Sequence, residues 1–227
     1  MNALRRHQLA RLSRAGWASL LARPWDEQAR ECLAHWAQHG LPLVVTRQPL
    51  DAEAQGSIAL GLPAPVRWGR RRLALQVSRA ELLRLDEFPR LAAVLPSLAP
   101  SAQIPMRDLI DELNACRARS QVFGSYGWQA ISGLDHPRPG SDLDLSVAVR
   151  DAAHADAVTQ LLQSFDRSHP RLDGEIFFED GAAVAWREWI EWRAGRARAV
   201  LVKRLHGVAL QHDTVWCECA GRAELSA

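Results

Sequence analysis

Apolar and polar positions alternate with period two along Asp142-Leu143-Asp144-Leu145-Ser146-Val147-Ala148-Val149, which predicts a half-buried strand. Leu143, Leu145, Val147 and Val149 face one way, and Asp142 and Asp144 share the other face one pleat apart. Helical spacing of Ala29, Cys32, Leu33, Trp36 and Ala37 predicts a helix over 26–39, stopped by Gly40. Short strands are expected at Leu43–Val45 and Leu73–Val77, on either side of a turn-rich stretch at 49–65. Ser78 and Glu81 stand at capping-box spacing and predict a helix start. The next helix is expected from near Pro105, with Leu109, Ile110, Leu113 and Cys116 on its apolar face. Strand 121–123, a Gly124-Ser125 turn, helix 126–131 and a loop at 135–140 lead into the alternating strand. After it come helix 151–165, strand 171–178, an Asp180-Gly181 hairpin turn into 182–185, a helix bearing Trp186, Trp189 and Ile190, strand 198–202, and a last strand at 215–219.

Pro96, Pro100 and Pro105 with Ser97 and Ser101 mark a boundary, dividing the chain into 1–100 and 101–227. The chain of 227 residues is 48% hydrophobic and 24% charged, enough apolar material for a sizeable core. Its net charge of +2 is too small to point to nucleic acid or an anionic membrane. No apolar run approaches the roughly 18 residues needed to cross a bilayer. Among the four cysteines no C-x-x-C pair occurs, which argues against a zinc ribbon; Cys217 and Cys219 are expected to alternate on one face of the last strand. With no secretory segment at the N-terminus, the expectation is a cytoplasmic protein with reduced thiols. The Arg-rich beginning reads as a domain start, because Asp26 and Glu27 follow without a linker. Lys203 is the only lysine.

Two carboxylates one pleat apart repel unless a cation sits between them. Hard oxygen donors suit a divalent metal. Asp173 and Glu175, two apart on a later strand, would supply a third carboxylate, and which of the two does so is left open by the sequence. The small turn Gly124-Ser125 would let backbone N–H groups approach phosphate, with the Ser125 hydroxyl adding a hydrogen bond. Together these residues predict a metal site that neutralises a triphosphate and activates an attacking hydroxyl. Lys203 and Arg187 are candidate phosphate contacts.

Phe123-Gly124-Ser125 followed by Asp142-Leu143-Asp144-Leu145 resembles the pattern of the DNA polymerase beta-like nucleotidyltransferases, with a longer spacer in which 134–140 reads as an inserted loop. Trp128-Gln129-Ala130, Asp173-Gly174-Glu175, Ala185-Trp186-Arg187-Glu188-Trp189, Leu41-Pro42-Leu43-Val44-Val45, Arg71-Arg72-Leu73-Ala74-Leu75-Gln76 and Val200-Leu201-Val202-Lys203 narrow the resemblance to the malonate decarboxylase holo-acyl-carrier-protein synthases, also called phosphoribosyl-dephospho-CoA transferases. The resemblance spans most of the chain. It implies transfer of the phosphoribosyl-dephospho-CoA group from 2'-(5''-triphosphoribosyl)-3'-dephospho-CoA to a serine of the acyl-carrier subunit, with release of pyrophosphate. It also implies Asp142 and Asp144 as the paired catalytic aspartates, with Mg²⁺, or Mn²⁺ in its place, as the ion. Such carriers are usually acidic, so Arg70, Arg71 and Arg72 are expected to form a docking patch.

The expected fold class is α+β: a nucleotidyltransferase-like mixed sheet with flanking helices, plus a smaller N-terminal α/β domain that helps to bind donor or carrier. Two alternatives stand beside this reading. One is an adenylyltransferase acting on a small molecule or a protein; the other is a non-catalytic nucleotide-binding module that kept the fold.

Overall fold

The structure, a computed structural model, describes residues 4–52, 54–165 and 170–218. Its contacts form two units. The first runs to Phe88 and includes Ile131–His136 and Leu205–Gly207; the second takes Pro89–Ala130, Pro137–Arg204 and the residues from Val208 onward.

The first unit comprises β1 (Leu9–Leu12), α1 (Arg14–Leu21), α2 (Glu27–Gln38), β2 (Leu43–Val45), β3 (Ser57–Pro63), β4 (Arg72–Ser78) and β5 (Leu82–Asp86). Its strands form an antiparallel sheet in the order β4-β3-β2-β1-β5. The Asp26 side chain accepts from the Ala29 N–H to open α2, and Ala29, Cys32, Leu33 and Trp36 are buried, as their spacing requires. Two expectations change here. The stretch read as turn-rich contains β3, where Ile58, Leu60 and Leu62 alternate inward while Gly61 and Pro63 disguise the strand. The Ser78–Glu81 capping box does form, but it closes only a 3-10 turn at Arg79–Glu81. The chain then enters β5, because residues 82–86 take their place in the sheet beside β1.

In the second unit come α3 (Leu91–Val94), α4 (Pro100–Ala115), β6 (Arg119–Val122), α5 (Gly124–Ser132), β7 (Leu143–Ala148), α6 (Ala152–Ser164), β8 (Leu172–Phe177), β9 (Ala183–Ala185), α7 (Trp186–Arg193), β10 (Val200–Lys203), β11 (Val208–Gln211) and α8 (Val215–Glu218). The sheet order is β11-β10-β9-β8-β7-β6. β7 and β8 are parallel, with α6 as the crossover, and every other pairing is antiparallel, so the sheet is mixed. One face carries the core: Leu143, Leu145, Val147, Leu172 and Ile176 pack with Met106, Leu109, Val158, Leu162, Trp186 and Trp189 from the helices. The opposite face of β7 and β8 carries Asp144, Ser146, Asp173 and Glu175, with Ala148 and Phe177 at its far end.

The division falls at Phe88 and Pro89, ahead of the proline-rich stretch at 96–105, because Leu91, Val94 and Leu98 are buried in the second unit's core. α4 begins at Pro100 and carries Pro105 inside it, where Ala102 and Met106 are buried on either side. The described part of 215–219 is the helix α8 rather than a strand, with the Val215 N–H donating to Asp213 Oδ1; Cys219 lies outside the described residues. β11, paired along its length with β10, holds the sheet edge instead.

Candidate active site

The parallel pairing of β7 with β8 sets Asp144 opposite Asp173 and Ser146 opposite Glu175. Side chains alternate, so Asp144, Asp173 and Glu175 project from the face that Leu143, Leu145 and Ile176 do not use. Asp142 immediately precedes β7. The parallel register therefore gathers all four carboxylates expected from the sequence. It depends on a close approach: a Cβ on Gly174 would lie 1.9 Å from the Leu145 carbonyl oxygen, and the φ of Gly174 is 125°. Only glycine lets the two strands meet there.

Gly124 comes to the same place from β6. The Phe123 N–H donates to the Asp144 carbonyl at 3.0 Å. Gly124 has a φ of 61° and is the first residue of α5. A Cβ at this position would lie 1.9 Å from Asp144 Oδ2. The Asp144 carboxylate thus rests against the start of a helix, whose first N–H groups have no partner within the helix. Ser125 follows, half-buried.

Three cations are interleaved with the carboxylates. Arg171 grips Asp142 through two bonds, Nε to Oδ1 at 2.9 Å and NH2 to Oδ2 at 2.5 Å. Lys203 Nζ donates to Glu175 Oε1 at 2.7 Å, and the Glu175 side chain is 8% exposed. Arg187 donates to the Leu172 carbonyl at 2.7 Å, and its Nε stands 3.9 Å from Asp173 Oδ1. Asp144 has no ion-pair partner among the described residues. Its pKa is pushed up to about 6, first by burial and then by the charges of Asp173, Asp142 and Glu175, against a smaller opposing pull from Arg171.

Lys203 and Glu175, read from sequence as a phosphate contact and a metal ligand, are thus brought together as a pair across the sheet. Arg171 was not singled out from the sequence. It is one arginine among many, and its role rests on a strand register that periodicity does not reveal. Arg70 and Arg71 have structural partners in the first unit: Arg70 donates to the His136 carbonyl at 2.6 Å, and Arg71 holds Asp26 through two bonds at 2.6 and 2.7 Å. Arg72 is exposed at the start of the edge strand β4.

Among the described residues no three His, Cys, Asp or Glu side chains stand as a finished metal cage. The donor set nevertheless fits a hard divalent cation. The Asp142, Asp173 and Glu175 charges all bear on Asp144 and add to the effect of burial in raising its pKa, and the Arg171 guanidinium occupies Asp142 as a cation would. Asp142, Asp144 and Asp173 would hold such an ion, while Glu175 is engaged by Lys203.

Comparison with known proteins agrees with this arrangement of two units. Residues 5–88 match the model of the phosphoribosyl-dephospho-CoA transferase MdcG N-terminal domain, and residues 90–214 match that of its C-terminal domain. A phosphoribosyl-dephospho-CoA transferase of Xanthomonas euvesicatoria is 39% identical over 77% of this chain and 80% of its own. One of Bradyrhizobium diazoefficiens is 36% identical over 90% of this chain and 88% of its own, and one of Pseudomonas aeruginosa is 34% identical over 77% and 79%. No solved structure matches the chain. The two domain models and these relatives together cover nearly the whole sequence, and the chain belongs to the phosphoribosyl-dephospho-CoA transferase family.

Proposed function

We propose that this transferase moves the phosphoribosyl-dephospho-CoA group from 2'-(5''-triphosphoribosyl)-3'-dephospho-CoA to a serine of the malonate decarboxylase acyl-carrier subunit, with Mg²⁺ or Mn²⁺ held by Asp142, Asp144 and Asp173. The observation that carries this reading is the register of Asp144 against Asp173 with Gly124 pressed on the Asp144 carboxylate. The serine oxygen bonds to the α-phosphorus, the bond from that phosphorus to the bridging oxygen breaks, and pyrophosphate leaves with the electron pair. The hydroxyl proton passes to a carboxylate of the cluster. A divalent ion, when bound, supplies charge neutralisation and a lowered pKa for the incoming hydroxyl. The chain's own residues do the positioning. The start of α5 offers unpaired N–H groups to phosphate oxygens, and Ser125 adds its hydroxyl. Arg187, fixed on the Leu172 carbonyl, orients Asp173. Gly174 keeps β8 close enough to β7 for the two aspartates to act on one phosphate group. The N-terminal unit is assigned to recognition of donor or carrier, with Arg72 among its exposed charges for an acidic partner.

No helix among the described residues is long and apolar enough to cross a membrane, which suits a reaction between a water-borne donor and a carrier protein. The test is to incubate the chain with apo-carrier, Mg²⁺ and the triphosphoribosyl donor, and in parallel with ATP, and to weigh the carrier. The expected result is a gain of one phosphoribosyl-dephospho-CoA group from the first donor, lost on adding a chelator. A gain of AMP from ATP would instead favour an adenylyltransferase, and no gain from either would favour a binding module.

A further inference from the structure

We propose that Arg171 is a binding residue for the donor's phosphates, parked on Asp142 until a divalent cation takes that carboxylate. The inference rests on the function proposed above and adds a residue to it. The planar guanidinium presents two parallel N–H groups, and the oxygen pairs of a carboxylate and of a phosphate match that fork equally well. Arg171 uses the fork on Asp142, with both donor–acceptor distances within hydrogen-bond range. Its backbone is fixed at the edge of the site, where the Leu143 N–H donates to the Arg171 carbonyl at 2.8 Å. The side chain is 54% exposed, so it can swing without disturbing the core.

The other two cations differ. Lys203 is tied to the buried Glu175 and Arg187 to a backbone carbonyl. Arg171 alone of the three is both exposed and attached to a candidate metal ligand. The Arg171 side of the pair is open to water, which screens it. With a dication on Asp142 and Asp144, the Arg171 fork would no longer be held by Asp142 and could turn to arriving phosphate oxygens. Metal entry and phosphate capture are thereby coupled through one carboxylate.

The experiment uses the full chain, Mn²⁺ alone and inorganic tripolyphosphate alone, read by isothermal titration calorimetry. Arg171→Gln removes the competing cation, and Mn²⁺ is expected to bind about threefold to tenfold tighter than to the parent chain. Asp142→Asn removes the carboxylate that the fork grips, and tripolyphosphate without metal is expected to bind about fivefold or more tighter, a gain absent from the Asp142→Asn/Arg171→Gln double variant. Thermal melts check folding, with Arg171→Met repeating the first arm if Arg171→Gln melts early. Unchanged or weaker Mn²⁺ binding in the Arg171 variant, or equal tripolyphosphate binding by the single and double Asp142 variants, would leave Arg171 a surface ion pair and overturn the proposal. Neither titration uses donor or carrier, so a failure here and a failure of carrier modification read out separately.

Discussion

Asp144→Asn is expected to slow carrier modification about a thousandfold or more while making the metal-free protein more stable at neutral pH. The two effects have one cause. The folded chain buries Asp144 and sets it among Asp173, Asp142 and Glu175, which raises its pKa from the ordinary 3.8 to about 6. The folded state therefore binds a proton more tightly than the unfolded state does. The stability this group contributes is fully present below about pH 4 and is lost as the pH rises through about 6. Asparagine carries no charge and escapes that loss. Each pKa unit corresponds to about 1.4 kcal/mol, so the variant should gain on the parent between pH 4 and 7, approaching about 3 kcal/mol as an upper bound. Initial rates by mass spectrometry and thermal melts with a chelator present measure the two halves. A variant that had merely disrupted packing would lose on both.

Gly124→Ala is expected to carry the second-largest effect, about a hundredfold on the same rate together with a loss of about 1–2 kcal/mol in stability. A residue with a side chain strains at the φ of 61°. Its Cβ would also lie 1.9 Å from Asp144 Oδ2 and 2.8 Å from Asp144 Cγ, a contact that only movement of the carboxylate relieves. The damage is thus routed through Asp144. In an Asp144→Asn background the same change should cost little further activity, because residues acting on one group are non-additive. Rates of the two single variants and the double variant, measured in one cycle, decide it; full additivity would mean that Gly124 acts by some other route.

The strand at 142–149 was legible because alternation with period two is local, and so were α2, α6, β8 and α7, whose apolar positions repeat within a few residues. β3 was hidden by Gly61 and Pro63, and β5 by a capping box that is real but closes only a single turn. In both places pairing across the sheet overrode the local signal. The four carboxylates were visible as residue types. That Asp144 faces Asp173, that Glu175 is neutralised by Lys203, and that Arg171 holds Asp142 all follow from the parallel register of β7 and β8 and the closure of β10 onto β9. These contacts lie about 30 residues apart or slightly less in sequence, beyond any periodic pattern.

A crystal grown with Mn²⁺ and the triphosphoribosyl donor, with diffraction recorded near the manganese absorption edge, tests the metal assignment most directly. The expected result is an anomalous peak touching carboxylate oxygens of Asp142, Asp144 and Asp173, with the donor's α-phosphate beside Gly124. A peak elsewhere, or those three side chains still without metal in a donor-bound crystal, would contradict the account.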